Sequence, residues 1–294
     1  MHKIDQLLIV GVGLIGGSLA LSLKEHGVVK KIIGVGRSQE NLEAALELGV
    51  VDEIQQDLRV AARDADMICL AVPVNTIASK LEEIKDVFPD NCVITDVGSV
   101  KGGVARDAVS ILGPRSNRFV PGHPIAGKEK SGVQSAFPEL FENHKVVITP
   151  LQNSDRDAVD GVREMWKVTG ADVVEMDIDV HDRVLSITSH LPHVLAYTTV
   201  QQMANSSDKE RCYEMAAGGF YDFTRIASGD PEMWRDICLM NKQELLTQLY
   251  QYQSDLSDVI AMIEKEDGEA IESLFSSSQK ARSILVERRL HRKG

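Results

Sequence analysis

Hydrophobic positions along the chain fall into two regimes. In the first 175 residues, short apolar runs of strand length alternate with amphipathic stretches of helical spacing. The runs are 7–10, 32–35, 67–72, 92–95, 119–120, 146–148 and 171–175. Runs that are apolar on both faces suit the middle of a parallel sheet covered by helices. Between them, residues 19–23, 41–48 and 155–169 read as helices, and Gly49 suits the position after a helix end. From about residue 180 no strand pattern is convincing. Helical periodicity predicts helices at 180–205, 209–217, 233–262 and 269–290. The pattern predicts two domains, an α/β domain over 1–177 and an all-α domain over 178–294.

The turn after the first strand has the sequence GVGLIGGS at 11–18. Gly11, Gly13 and Gly16 form G-x-G-x-x-G between a strand and a helix. The first glycine permits a tight turn, the second lets a pyrophosphate approach the backbone, and the third lets helix and strand pack closely. The amides of Leu14, Ile15 and Gly16 at the helix start then face the anion. This predicts a Rossmann-type dinucleotide-binding domain. Val72 and Pro73, at the end of the 67–72 run, and Asp96, at the end of the 92–95 run, are expected at the same sheet edge and are candidate cofactor contacts. The second strand ends at Gly36-Arg37-Ser38, where an NAD-binding fold usually carries a carboxylate. A carboxylate would repel a 2′-phosphate, whereas Arg37 and Ser38 offer it a cation and a hydroxyl. NADP is therefore expected, with NAD possible. Ser38 also reads as the cap of the next helix, and both roles can hold together.

Composition narrows the function classes. The chain has 294 residues, 43% hydrophobic and 26% charged, with net charge −12. These are globular values, and the negative charge disfavours nucleic acid or anionic membrane as a partner. Basic residues at 288–293 read as the end of the last helix. No apolar run approaches the roughly 18 residues of a membrane span. The chain enters its first strand directly after Met1-His2-Lys3, so no signal peptide is expected. Cys69, Cys92, Cys212 and Cys238 form no C-x-x-C pair and read as free thiols. A cytoplasmic location is expected. The apolar positions Leu239, Leu245, Leu246, Leu249, Leu256 and Ile260 exceed what one small helical domain would cover, so a homodimer is expected.

Four polar clusters carry the candidate chemistry. Asp96 and Ser99 follow a strand, and each also reads as a helix cap. His123 lies between Gly122 and Pro124, an unusual setting for a core histidine. Ser189, His190 and His193 share one helix, with the two histidines on one face. No third ligand at suitable spacing accompanies them, so no metal is expected. Arg225, between Phe223 and Ile226, is the candidate clamp for a carboxylate, with Asp222 placed to hold it.

Together these stretches resemble the prephenate dehydrogenases, including arogenate and cyclohexadienyl dehydrogenases. The matching segments are GVGLIGGS at 11–18, DVGSVK at 96–101, GHPIAG at 122–127 with EKSG at 129–132, SHLPH at 189–193 and DFTRIA at 222–227. The resemblance implies oxidative decarboxylation of prephenate, with arogenate as the alternative substrate, in tyrosine biosynthesis. It implies that His123 bonds the substrate's 4-hydroxyl and takes its proton as hydride leaves the same carbon. It implies that Ser99 contacts His123 and the hydroxyl, that Arg225 binds a carboxylate, and that Ser189, His190 and His193 line the pocket. It also implies dimerisation through the helical domain. Lys128 stands where some relatives carry a smaller polar residue, and a cation there would bear on the substrate or the cofactor ribose. The chain carries no stretch read as a chorismate mutase or regulatory domain, which is expected to leave a single activity. Two other readings exist: a β-hydroxy-acid dehydrogenase using Lys242, which no surrounding motif supports, and a non-catalytic NADP sensor.

Overall fold

The computed structural model describes residues 3–127 and 132–290. Six strands form one parallel sheet: β1 (Ile4–Val10), β2 (Val29–Val35), β3 (Glu53–Ile54), β4 (Met67–Leu70), β5 (Val93–Asp96) and β6 (Phe119–Val120). Their order is β3-β2-β1-β4-β5-β6. The chain direction of the winding reverses between β1 and β4, and the crevice above that point is where such sheets hold ligands.

Helices cover both faces: α1 (Leu14–Glu25), α2 (Gln39–Glu47), α3 (Leu58–Ala62), α4 (Ile77–Ile84), α5 (Gly102–Leu112) and α6 (Arg156–Val168). Alternate residues of β1 divide between two cores. Leu7 and Ile9 pack with Leu19, Leu23 and Trp166 on one side. Leu8 and Val10 pack with Ile77, Leu81 and Val104 on the other. Burial on both faces is why β1 and β4 read as unbroken apolar runs.

Three later strands, whose sheet the sequence pattern left unassigned, lie outside this sheet. β7 (Gly122–Pro124), β8 (Lys145–Ile148) and β9 (Asp172–Glu175) make a separate sheet in the order β7-β8-β9, with β7 antiparallel to β8. The chain changes sheets at Pro121, which has no N–H to continue a ladder. Its carbonyl accepts from the Thr149 N–H at 2.9 Å.

The remainder is helical among the described residues: α7 (Ile178–Leu185), a π turn at Ser186–His190, α8 (Leu191–Ala204), α9 (Lys209–Met215), α10 (Gly218–Thr224), α11 (Pro231–Met240), α12 (Lys242–Glu264) and α13 (Gly268–Leu290). The run expected as one helix over 180–205 holds a wide turn before Pro192, whose missing N–H breaks the regular ladder. The run expected over 233–262 is interrupted at Asn241. Helix α10 was not foreseen, because its two leading glycines weaken the helical signal. The chain divides into compact units at 1–242 and 243–294, the second holding most of α12 and all of α13. No helix among the described residues is long and apolar enough to cross a membrane.

Candidate active site

The glycine turn has the space and conformation of an anion cradle. Gly11 has φ +98°, and a Cβ there would lie 2.2 Å from the Ala71 carbonyl oxygen. A Cβ on Gly16 would lie 2.4 Å from the Gly11 carbonyl oxygen, so α1 can approach the strand only through glycine. At Gly13 a Cβ would meet nothing within 4 Å, so the turn is open on that side. No side chain caps α1 and no acidic residue lies in its first turn. By contrast, Ser38, Asp57, Asp177 and Asp230 cap α2, α3, α7 and α11. The residues therefore fit a dinucleotide whose phosphate lies at the α1 amides.

Neighbouring groups frame this turn. Val72 packs beside Gly11, and Pro73 is exposed at the end of the loop after β4. Leu14 is buried and Ile15 partly so. Asn41, which the sequence reading passed over, donates to the Val12 carbonyl at 2.7 Å and accepts from the Val133 N–H at 3.2 Å. It ties the glycine turn to the segment following residue 132. Arg37 is exposed and forms no ion pair with a described residue. The Ser38 hydroxyl accepts from the Asn41 N–H at 3.2 Å, which realises its capping role.

At the end of β5 the chain builds a buried ion pair. Asp96 and Lys101 are both fully buried, with Lys101 Nζ 2.5 Å from Asp96 Oδ2. The same carboxylate accepts from the Gly98 and Gly122 N–H groups, and Lys101 Nζ also donates to the Gly122 carbonyl at 2.7 Å. Asp96 thus spends both oxygens inside the protein, holding the β5 loop against the start of β7. Burial pushes the Lys101 ammonium down in pKa, against the pull of Asp96. His123 follows Gly122 directly, so this pair sets its height above the sheet edge.

Neither Asp96 nor Ser99 caps α5. The N–H groups of Lys101 and Gly102 instead donate to the two oxygens of Asp182 on α7, each at 2.8 Å. Beside it, His181 Nδ1 lies 2.8 Å from Asp182 Oδ1, and His181 Nε2 lies 2.9 Å from His123 Nδ1. His123 keeps 7% of its surface exposed, and its Nε2 bonds to no described residue. Burial, followed by His181, Lys101 and His190, holds its pKa well below the ordinary value. A neutral imidazole with one open nitrogen is a proton acceptor.

The π turn and the helix break together orient the other histidines. Asn241 Nδ2 donates to the Asp182 carbonyl at 2.9 Å, which fixes that atom as the nitrogen. The same Nδ2 lies 3.0 Å from His190 Nδ1. His190 Nδ1 must then accept, leaving Nε2 as an N–H that is buried and without a partner. Burial lowers the His190 pKa to about 4, so the ring is neutral. His193 stacks on Trp234 with ring centroids 3.6 Å apart, and its Nδ1 donates to the Ser189 carbonyl at 2.8 Å. Burial and the Arg225 charge lower its pKa. Arg225 is exposed in the turn Arg225–Ser228, with Asp222 exposed one turn earlier on α10. Ser99 and Ser189 are half-buried. Lys128 lies outside the described residues.

Two family models match this chain: the nucleotide-binding domain of prephenate dehydrogenase over residues 19–175, and its dimerisation domain over 177–277. Bacillus subtilis prephenate dehydrogenase is 40% identical over 96% of this chain and 76% of its own length. The cyclohexadienyl dehydrogenase of Zymomonas mobilis is 34% identical over 97% of each chain. The chain belongs to the prephenate dehydrogenase family. A crystal structure of Aquifex aeolicus prephenate dehydrogenase, in complex with hydroxyphenyl propionate and NAD+, superposes with a TM-score of 0.89 at 36% identity, over 96% of this chain and 99% of that one. Membership makes this chain an oxidoreductase of tyrosine biosynthesis that uses a nicotinamide dinucleotide. For a prephenate dehydrogenase the residues missed by sequence reasoning are His181, Asp182, Asn41 and Asn241. None lies in a recognisable motif, and only the adjacency of His181 and Asp182 gave a local signal. Lys242, the candidate of the rival reading, is exposed at the first residue of α12.

Proposed function

We propose that this protein oxidises prephenate to 4-hydroxyphenylpyruvate and CO2, preferring NADP. The observation that carries the reading is His123: neutral, nearly buried, bonded through Nδ1, with no described partner at Nε2, and next to Gly122, which bonds Asp96 at the end of β5. The bound nicotinamide supplies the acceptor for the hydride that leaves C4 of the substrate. His123 Nε2 takes the proton of the 4-hydroxyl in the same step, so the C4 oxygen becomes a carbonyl. Breaking the bond to the ring carboxylate then releases CO2, and its electron pair makes the ring aromatic. His123 returns its proton to the phenolate oxygen, so no proton is gained or lost overall. Ser99 bonds the same hydroxyl. Arg225 pairs with a substrate carboxylate and Asp222 holds it in place. Ser189 and His193 line the pocket with His190, whose Nε2–H is buried and without a described partner.

Residues 1–177 bind the cofactor through Gly11, Gly13, Leu14, Ile15, Gly16, Val72 and Pro73, and residues 178–294 bind substrate and dimerise. Asp96 acts there through the loop it holds. The exposed Arg37 supports the NADP preference, and Ser38 remains free to donate its hydroxyl hydrogen while it caps α2. The homodimer is supported by Leu256, Ile260 and Ile263, which are 48%, 50% and 60% exposed. We place the enzyme in the cytoplasm.

Crossing prephenate and arogenate with NADP and NAD, while following absorbance of the reduced cofactor, tests this reading. Prephenate turnover faster with NADP is expected. Arg37→Ala should raise the KM for NADP roughly 10-fold and leave that for NAD unchanged, the loss of one charge-assisted contact. An equal change for both cofactors overturns the role of Arg37. Turnover of arogenate alone overturns the substrate.

A further inference from the structure

His123 is the outer member of a chain of three side chains. Its Nδ1 lies 2.9 Å from His181 Nε2, and His181 Nδ1 lies 2.8 Å from Asp182 Oδ1. The His123 and His181 rings meet edge on, with centroids 5.1 Å apart and planes at 66°. His181 is fully buried and Asp182 is 7% exposed. The far side of Asp182 is closed by the N–H groups of Lys101 and Gly102.

Proton counting gives this chain one direction. Burial opposes the charge on Asp182, but the His181 bond and the two backbone amides hold its carboxyl below the usual range. An ionised carboxylate only accepts, so His181 Nδ1 carries a hydrogen. Burial, with Lys101 nearby, lowers the His181 pKa, so that ring is neutral and its Nε2 is bare. A bare Nε2 only accepts, so His123 Nδ1 carries the hydrogen. A neutral His123 then has its lone pair on Nε2. The opposite tautomer would set two lone pairs, or two hydrogens, face to face in a buried contact.

We propose that His181 and Asp182 are positioning residues that lock His123 in the Nδ1–H tautomer, presenting Nε2 as the base, and that Asp182 offsets the imidazolium charge when the proton arrives. The proposal rests on the reading of His123 as the group that takes the hydroxyl proton. Both act through His123 and not on the substrate. Asp182 also caps α5, so one carboxylate fixes both the loop that carries Ser99 and the tautomer of His123. The logic is that of an acid–imidazole pair with a second imidazole inserted between them.

The test uses the full-length enzyme with 15N-labelled histidine, whose tautomers are read from long-range proton–nitrogen correlations without substrate. His123 is expected as Nδ1–H in the wild type. His181→Phe removes the acceptor. It should mix the His123 tautomers and lower kcat roughly 10- to 100-fold, the scale for losing the partner that orients a functional imidazole. The cofactor dissociation constant should not change. His181→Gln sets an amide oxygen near the place of Nε2 and should restore the Nδ1–H form and most of kcat. An Nε2–H signal for His123 in the wild type overturns the proposal. So does a His181→Phe enzyme with unchanged tautomer and kcat, or equal losses in Phe and Gln variants that both melt early, which is a packing role. The spectrum needs no turnover, so failure of the proposed reaction leaves the tautomer result readable. Normal turnover in His181→Phe removes only the positioning role.

Discussion

At the scale of single residues, the site depends on imidazoles kept neutral by burial. His123, His181 and His190 all titrate below the ordinary histidine value in the folded protein, His190 at about 4. The unfolded chain takes up these protons near pH 6.5 and the folded chain does not. The stability these rings contribute is therefore complete above pH 6.5 and is lost as the pH falls toward their folded values. His190 alone accounts for about 3 kcal/mol of that loss. Denaturant midpoints should be level from pH 8 to about 6.5 and fall between about 6.5 and 4; a level midpoint down to pH 4 contradicts the assignment. The acid limb of kcat/KM should likewise lie below pH 6.5, because His123 stays unprotonated down to its lowered pKa.

At the scale of elements, the Asp96–Lys101 pair joins β5, the loop before α5 and the start of β7. Asp96→Ala strands a fully buried cation and should cost about 3–5 kcal/mol, read as a lowered unfolding midpoint. An unchanged midpoint contradicts a stabilising role for this pair. The glycine turn was legible in the sequence because its determinants are local: the crowding at Gly11 and Gly16 comes from the strand and loop it connects. His123 stood out because glycine and proline flank it. The partner of His123 was not legible, since His181 arrives from 58 residues away and reads alone as an ordinary helical polar residue. The second sheet was hidden because strand pattern does not say which sheet a strand joins, and Pro121 makes that change. Asn241 interrupts an otherwise continuous helical pattern, and its reason lies in His190 and the Asp182 carbonyl rather than in its neighbours.

At the scale of the whole molecule, the two domain models together match residues 19–175 and 177–277. The helices beyond residue 242 leave large apolar side chains in solvent, among them Leu256, Ile260, Phe275 and Leu285. Replacing Leu256 and Ile260 together by Glu should turn the proposed homodimer into a monomer in sedimentation velocity, since charge in an apolar interface goes unpaired; a wild-type sedimentation coefficient contradicts an interface there. The proposed reaction stands on His123 as the base of an oxidative decarboxylation. The measurement that tests it most directly compares wild type with His123→Asn for prephenate-dependent cofactor reduction, alongside cofactor affinity for each. Turnover is expected in the wild type, with a loss of about 10²–10⁴-fold in the variant and equal cofactor affinity in both. Turnover that survives His123→Asn would contradict it.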